Sequence, residues 1–183
     1  MPGFTVPLGF PYPLPGDPTN GPANIQDLAE AIDAAVTATE TQLANISDPP
    51  IAWVGAAPAA IPNALGTPLQ FTVQFYDNAD MVDLVTSNTN IVIRSAGLYM
   101  LSGEVGFEPN GTPGKQLEIV VNGTAIAVSA SAPPTATNFG WSCNASVMRV
   151  MAVNDIVTFR AGHTSGITIT TTGAEAEVFR VSA

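Results

Sequence analysis

From Ile51 to the end of the chain, apolar residues alternate with polar ones or form short runs, and this pattern constrains the fold most. Turn signals such as Asn122-Gly123 divide the segment into short pieces. The pattern predicts strands at 51–54, 69–76, 81–85, 90–94, 98–107, 116–121, 125–129, 139–153, 156–161, 167–172 and 176–181. No helical pattern alternates with these strands, which excludes a parallel α/β fold. The expected fold class is mainly β, an antiparallel sandwich of the jelly-roll type.

The first 22 residues contain seven prolines and predict an extended arm. Proline has no backbone N–H and a fixed φ, so this arm is expected to form neither a helix nor a central strand. We expect its apolar side chains to dock on another surface, as a docking arm made of Phe4, Leu8, Phe10, Tyr12 and Leu14. The predicted organisation is a docking arm at 1–22, a helical stalk at 23–50 and a β head at 51–183.

Residues 24–46 predict one helix, with Asn24 as its N-cap and with Asp27 and Glu30 near its positive end. Residues at steps of three and four form one stripe along it: Ile25, Leu28, Ile32, Val36 (or Ala35), Thr39, Leu43 and Ile46. A lone helix of this kind is marginal in water, so the stripe should be buried, either on the β head or against copies of itself. Thr39 weakens the stripe as a coiled-coil seam. The seam alone does not determine whether two or three helices associate.

The chain of 183 residues has a formal net charge of −10, unevenly distributed. Residues 1–93 contain nine acids and no Lys or Arg, and the five bases all lie from Arg94 onward. Nucleic-acid binding and attraction to anionic lipid need clustered Lys and Arg, so neither partner is expected. No apolar run is long enough to span a bilayer, and the arm lacks the cationic start of a signal peptide. A single cysteine, Cys143, excludes an intrachain disulfide.

Residues suited to catalysis or metal binding are sparse. His163, the only histidine, lies in GHTSG, which does not match the G-x-S-x-G of a nucleophile elbow. The segment GWSCN around Cys143 lacks the final glycine of that motif. We therefore expect His163 to be an exposed loop residue and Cys143 to be a buried, inert thiol. One His and one Cys do not make a zinc site, and we expect no catalytic residues, no metal and no cofactor.

Two groups of acidic residues were considered as sites. Asp77, Asp80 and Asp83 offer hard oxygen ligands, but their spacing of three differs from the every-second-residue pattern of a calcium loop. A solvated acidic loop is the expectation, and cation binding is the alternative. Five glutamates lie on or near predicted strands, where the pattern indicates no carboxylate pair for glycoside hydrolysis: Glu104, Glu108, Glu118, Glu175 and Glu177.

The aromatic residues of the head fall into two groups. Those inside predicted strands are expected in the core: Tyr99, Phe107, Phe159 and Phe179. Those near strand ends or loops are expected to pack as well: Trp53, Tyr76, Phe139 and Trp141. Stacking of an exposed Trp on a sugar ring is the alternative for the second group.

Four segments resemble the strand pattern of the C1q/TNF-like jelly-roll heads: Asn90 to Phe107, Lys115 to Val128, Ala145 to Ala161 and Ala174 to Ser182. Gly97-Leu98-Tyr99 matches the family's G-x-Y at the start of a long strand, Asn122-Gly123 matches its hairpin, and Asn154-Asp155 replaces its Gly-Asp. Heads of this family are typically homotrimers. The resemblance therefore implies a trimer with its helices bundled on the threefold axis, which makes the helix a trimeric stalk.

The segment Pro11 to Asp33 resembles the start of tail-fibre and minor tail proteins of phages that infect actinobacteria, where a Pro-Gly arm leads into a short helix. With the head, this resemblance implies a trimeric structural fibre protein on the virion surface. Residues 1–22 would anchor it to other virion proteins, and the head would attach to a host-surface glycan or protein at the tail tip. One alternative is a capsid-attached head fibre or decoration protein of the same build, and another is a small cell-wall glycan hydrolase.

Overall fold

A computed structural model describes residues 3–4, 11–12, 21–64, 66–109, 114–131 and 140–182. The chain divides into two compact units, Met1–Asp48 and Pro49–Ala183, and each is described by itself. Among the described residues, no helix is long and apolar enough to cross a membrane.

The N-terminal unit consists of two short strands and one helix. Strand β1 (Gly3–Phe4) pairs antiparallel with β2 (Pro11–Tyr12), and helix α1 spans Gly21–Ser47. Proline is compatible with so short a pairing, because only a central strand needs every N–H group. The remaining residues of the predicted docking arm, Leu8, Phe10 and Leu14, lie outside the described residues, as do the side chains of Phe4 and Tyr12.

Helix α1 begins three residues earlier than the sequence pattern predicts. Pro22 is its second residue, a position where the missing N–H costs no intrahelical bond. The predicted N-cap role of Asn24 is therefore wrong, because Asn24 lies inside the helix. The prediction that Asp27 and Glu30 sit near the positive end is wrong for the same reason, since the first turn contains no acidic residue. Glu30 instead accepts a 2.8 Å hydrogen bond from the Gln26 side chain.

The apolar stripe of α1 is solvent-exposed in the single chain. Ile25 is 70% exposed and Ile32 is 42% exposed, and Leu28 is exposed as well. Ala35 is half-buried, and its carbonyl accepts a 2.9 Å hydrogen bond from the Thr39 hydroxyl. The side chain of Ile46 lies outside the described residues. The trimeric stalk remains a prediction.

Two antiparallel sheets form the head and confirm the predicted sandwich. The first sheet has the order β12 (Trp141–Met151), β9 (Gly97–Phe107), β14 (Ile169–Ser182), β3 (Ile51–Ala56) and β6 (Val73–Asp77), with β4 (Ala60–Ile61) pairing to β14. The second has the order β11 (Thr124–Ser131), β10 (Lys115–Val121), β13 (Ile156–Gly162), β8 (Ser87–Val92) and β7 (Val82–Asp83), with β5 (Thr67–Pro68) pairing to β13. Most sheet neighbours are distant in sequence, as a jelly roll requires.

Several strand predictions differ from the structure. The predicted strand at 69–76 begins only at Val73, the one at 90–94 lies at Ser87–Val92, and the two-residue strands β4 and β5 are not among the predicted strands. The predicted strands at 167–172 and 176–181 are one continuous strand, β14, because Gly173 (φ 137°) lies at a bulge that the strand passes through. The predicted strand at 81–85 is reduced to Val82–Asp83. It ends there because the Asp83 carboxylate accepts hydrogen bonds from the N–H groups of Val85 and Thr86, which fixes a turn.

The core lies between the two sheets and is filled by alternate side chains of their strands. The predicted core positions of Tyr99, Phe107 and Phe159 are confirmed, since all three are fully buried. Phe159 packs edge-on against Phe71, with ring centres 6.4 Å apart. Gly103 is needed opposite Phe159, because a Cβ at Gly103 would lie 2.6 Å from a Phe159 ring carbon.

The predicted hairpin at Asn122-Gly123, between β10 and β11, is confirmed, and a second turn at Asn154 connects β12 of the first sheet to β13 of the second. Asn122 and Gly123 both have positive φ (50° and 81°), the conformation that a two-residue hairpin with Asn-Gly requires. Asn154 has φ 70°, which Asn tolerates better than most residues. The side chain of Asn122 also bonds the second turn, donating to Asp155 at 2.8 Å and accepting from the Ile156 N–H at 2.9 Å.

Candidate binding surface on the head

The outer face of the first sheet, its surface away from the core, carries the candidate site. Along β9 the odd-numbered side chains from Tyr99 to Phe107 are buried, and the even-numbered ones from Leu98 to Gly106 are not. Along β14 the buried positions are 174, 176, 178 and 180, so 175, 177 and 179 face outward. The prediction that Phe179 belongs to the core is therefore wrong, and this side chain is half-buried on the outer face.

Six apolar side chains form a continuous group at one end of the outer face. Met148 lies opposite Met100, Met100 opposite Phe179, and Phe179 opposite Ile51, so one row crosses four strands. Val150 lies opposite Leu98 in the next row. Met148 is 54% exposed and Val150 is 75% exposed. We call this group the apolar row: Ile51, Leu98, Met100, Met148, Val150 and Phe179. The other four side chains are half-buried, and such a group of neighbouring apolar side chains on an outer face is a candidate interaction site.

The other half of the outer face is acidic and aromatic. Glu104 and Glu175 lie directly opposite each other on β9 and β14, and the Trp53 indole N–H donates a 3.2 Å hydrogen bond to the Glu175 carboxylate. The Trp53 and Phe75 rings lie 4.7 Å apart at 40°, and both are more than two-fifths exposed. Two adjoining cavities, of about 490 and 330 Å³, share Glu104 and Glu175 in their linings, and Asn144 lines the second. We call this region the acidic groove.

The alternation of apolar and polar residues along β9 and β14 predicts part of the arrangement of Glu104 and Glu175. Both glutamates occupy outward positions, as the sequence pattern indicated, but the pattern did not indicate that they lie opposite each other. Their alignment depends on the register of two strands about 70 residues apart, which local periodicity does not determine. The packing prediction for Trp53 and Tyr76 is wrong in part, because both side chains are nearly half-exposed.

His163 is buried, so the prediction of an exposed loop histidine is wrong. Its Nε2 lies 2.9 Å from the Ile61 carbonyl oxygen, and its Nδ1 lies 2.9 Å from the Ser165 hydroxyl. A hydrolase triad would require a carboxylate to orient the ring, whereas here the orienting group is a main-chain carbonyl. The backbone N–H of His163 also bonds the Ala64 carbonyl. The histidine therefore fastens the 61–64 segment to the loop after β13.

Cys143 is buried, as expected, and Lys115 is buried near it. The ammonium of Lys115 lies 4.3 Å from the Trp141 ring centre and 5.8 Å from that of Phe107, which are cation–π distances. Burial lowers the pKa of Lys115 from its usual value, while the nearby Cys143 raises it. Lys115 was not singled out from the sequence, although it occupies the inward phase of β10 shared by Leu117 and Ile119. Trp141 is buried too, and Phe139 lies outside the described residues.

The acidic turn around Asp77 is organised by its own backbone. The Asp77 carboxylate accepts hydrogen bonds from the N–H groups of Ala79, Met81 and Val82 at 2.9–3.1 Å. Hydrogen bonds from the Thr86 side chain and from the Thr86 and Val85 N–H groups lower the pKa of Asp83. Across the described parts of the chain, no cluster of three or more His, Cys, Asp or Glu is arranged to hold a metal ion.

Comparison with known proteins identifies the fold of the head. No protein-family model matches the chain, and no curated protein matches it in sequence. Among solved structures, the globular domain of zebrafish complement 1qA matches with a TM-score of 0.54 and 10% identity, over 72% of this chain and 97% of that one. Murine APRIL matches with a TM-score of 0.56 and 10% identity, over 73% of this chain and all of the other. The head is therefore a C1q/TNF-like jelly roll, as the sequence resemblance implied.

Proposed function

We propose that the protein is a homotrimeric structural fibre protein of a bacteriophage virion, whose head attaches to the host surface. The observation that carries this proposal is the apolar row, which crosses four strands of the first sheet and leaves Met148 and Val150 exposed in the single chain. Such a surface is costly in water unless another chain covers it. The number three rests on the resemblance of the head to C1q/TNF-like heads.

The helix supports association by a separate route. Its exposed stripe includes Ile25, Leu28 and Ile32, and a helix of 27 residues with exposed apolar side chains gains stability by packing against copies of itself. In the proposal, the helices form the stalk of the trimer. The resemblance of Pro11 to Asp33 to phage tail proteins supports an anchoring role for the arm on other virion proteins, and a capsid-attached fibre of the same build is the second candidate.

A glycan hydrolase is the contrasting function, because Glu104 and Glu175 form a carboxylate pair. Glycoside hydrolysis needs one carboxyl that keeps its proton in an apolar, water-poor site while its partner is ionised. Both glutamates are exposed, so neither has such a site. The arrangement favours binding without turnover, and we expect no release of reducing ends from host cell-wall glycan.

The proposal is tested in assembled virions. A tag on the head, detected by electron microscopy, should lie at the tail tip, and a chain lacking residues 1–20 should be absent from particles although α1 and the head are retained. Detection of the tag at the capsid would instead favour the capsid-attached fibre. Incorporation of the shortened chain at normal levels would contradict anchoring through the arm.

A further inference from the structure

We propose that the acidic groove binds a saccharide that carries a free, positively charged amino group. This inference deepens the proposed function, since it names the chemistry that the head would recognise on a host surface. It rests on three features of the groove: an uncompensated carboxylate pair, an exposed aromatic wall and a polar lining over a floor of small residues.

The carboxylate pair sets the charge of the ligand. Glu104 and Glu175 are direct cross-strand neighbours, an arrangement in which like charges repel. Glu177 adds a third carboxylate to the lining. Among the described residues that line the two cavities, none is Lys, Arg or His. A bound ammonium group would offset this repulsion, whereas an anionic sugar would add to it.

The aromatic wall sets the shape of the ligand. The hydrogen bond from its indole N–H to Glu175 fixes the Trp53 ring beside the carboxylate pair, and Phe75 packs against it at 4.7 Å. Trp53 is 42% exposed, so ring surface is available to a ligand. An aromatic surface attracts both the apolar C–H face of a sugar ring and a nearby cation. A ligand with both features uses the wall and the carboxylates together.

The rest of the lining suits a hydroxylated ligand. Five neutral side chains there carry hydroxyl or amide groups: Thr72, Ser102, Asn144, Ser146 and Thr172. The floor contains Gly55, Gly106 and Gly173, which add no side chains and leave the groove open. Hydroxyl and amide groups donate and accept hydrogen bonds with sugar hydroxyls. The cavity volumes of about 490 and 330 Å³ lie in the range of small-ligand sites.

Calorimetric titration of the full chain with two matched ligands tests the inference. The ligands are an oligosaccharide of glucosamine and the fully N-acetylated oligosaccharide of the same length, which differ in charge but not in ring number. We expect binding of the first, weakened by added salt, and no measurable binding of the second. Equal binding of the two, or no binding of either, would overturn the proposal.

Variants then locate the site. Glu104→Gln and Glu175→Gln should each weaken binding of the glucosamine oligomer by about fivefold to tenfold, the loss of one charge-assisted contact. Glu108→Gln removes the same charge outside both cavities and should leave binding unchanged. Equal weakening by Glu108→Gln would show only a general charge effect and would contradict the groove.

A further pair of measurements tests the saccharide part. Trp53→Phe, which keeps a ring but loses the bond to Glu175, should weaken binding less than Trp53→Ala. An oligolysine of matching charge should bind more weakly and should not respond to Trp53→Ala. If oligolysine binds as tightly and with the same response, the site recognises any cation and the saccharide assignment is wrong. Sedimentation of each variant measures the assembly state separately, so failure of the groove and failure of the trimer are distinguishable.

Discussion

The two sheets of the head present very different outer surfaces to water. On the second sheet, outward polar side chains bond one another: Thr158 donates to Asn90 at 3.2 Å, Asn90 to Ser87 at 2.8 Å, and Gln116 to Glu118 at 2.7 Å. The first sheet carries the apolar row and the acidic groove on its outer face. An antiparallel sheet commonly has one face in the core and one in water, and the second sheet follows that rule. The first sheet departs from it because, in our proposal, its outer face contacts other molecules.

Charge pairing shows the same contrast. On the second sheet Glu118 lies opposite Arg160, so an acid faces a base across neighbouring strands. On the first sheet Glu104 lies opposite Glu175. Opposite charges at such positions stabilise a sheet by a few tenths of a kcal/mol, and like charges destabilise it by a similar amount. The charges on the outer face of the second sheet are paired within the chain, whereas the outer face of the first sheet would gain stability from a bound cation.

The largest expected effect comes from placing a charge in the apolar row. Phe179→Asp should weaken self-association by roughly 30-fold or more, since loss of a central hot-spot side chain costs about 2 kcal/mol. The matched control, Thr158→Asp on the outer surface of the second sheet, should leave the molecular mass unchanged. Sedimentation velocity over a concentration series measures both. Equal dissociation by the two variants would remove the contrast between the sheets.

The next effect compares the two sides of strand β9. Gly103→Ala should destabilise the fold by about 1–3 kcal/mol, because the new methyl group overlaps the Phe159 ring in the core. Ser102→Ala, one residue away on the outer face, should change the unfolding free energy by less than about 0.5 kcal/mol. Urea denaturation of both variants checks this. A neutral Gly103→Ala would mean that the core at Phe159 is loosely packed.

The smallest effect concerns the cation buried on the core side of the same sandwich. Because burial lowers the pKa of Lys115 below 10.5, the folded chain releases this proton at a pH where the unfolded chain still holds it. Between those two pKa values, stability should rise with pH in the wild type. Lys115→Met lacks the titrating group, so the difference in unfolding free energy between the two proteins should change over this range. A difference that stays constant as the pH rises to 10.5 would contradict the assignment.

Features set by local chemistry could be predicted from the sequence. The Asn122-Gly123 turn needs only the positive φ that these residues tolerate, and its prediction is confirmed. The outward position of Phe179 also follows from local pattern, because Phe179 has the same alternation as Glu175 and Glu177, whereas its aromatic side chain by itself favours the core. The predicted helix start at residue 24 is three residues late, because Pro22 fits in the first turn of a helix, where its missing N–H costs no intrahelical bond.

Features set by tertiary contacts could not be predicted in the same way. His163 is buried because Nε2 meets the carbonyl of Ile61, which is 102 residues away in sequence. The pairing of Glu104 with Glu175 requires the register of β9 against β14, which includes two irregularities. Nothing in the local pattern encodes either contact. The fold class was therefore accessible from periodicity and turns, whereas the groove that we propose as a binding site required the assembled sheet.

The central claim is that the apolar row on the outer face of the first sheet is covered by sister copies. Sedimentation equilibrium of the intact chain at micromolar concentration tests it most directly. The account predicts a mass three times the 18.8 kDa of one chain. A single species at 18.8 kDa would contradict it.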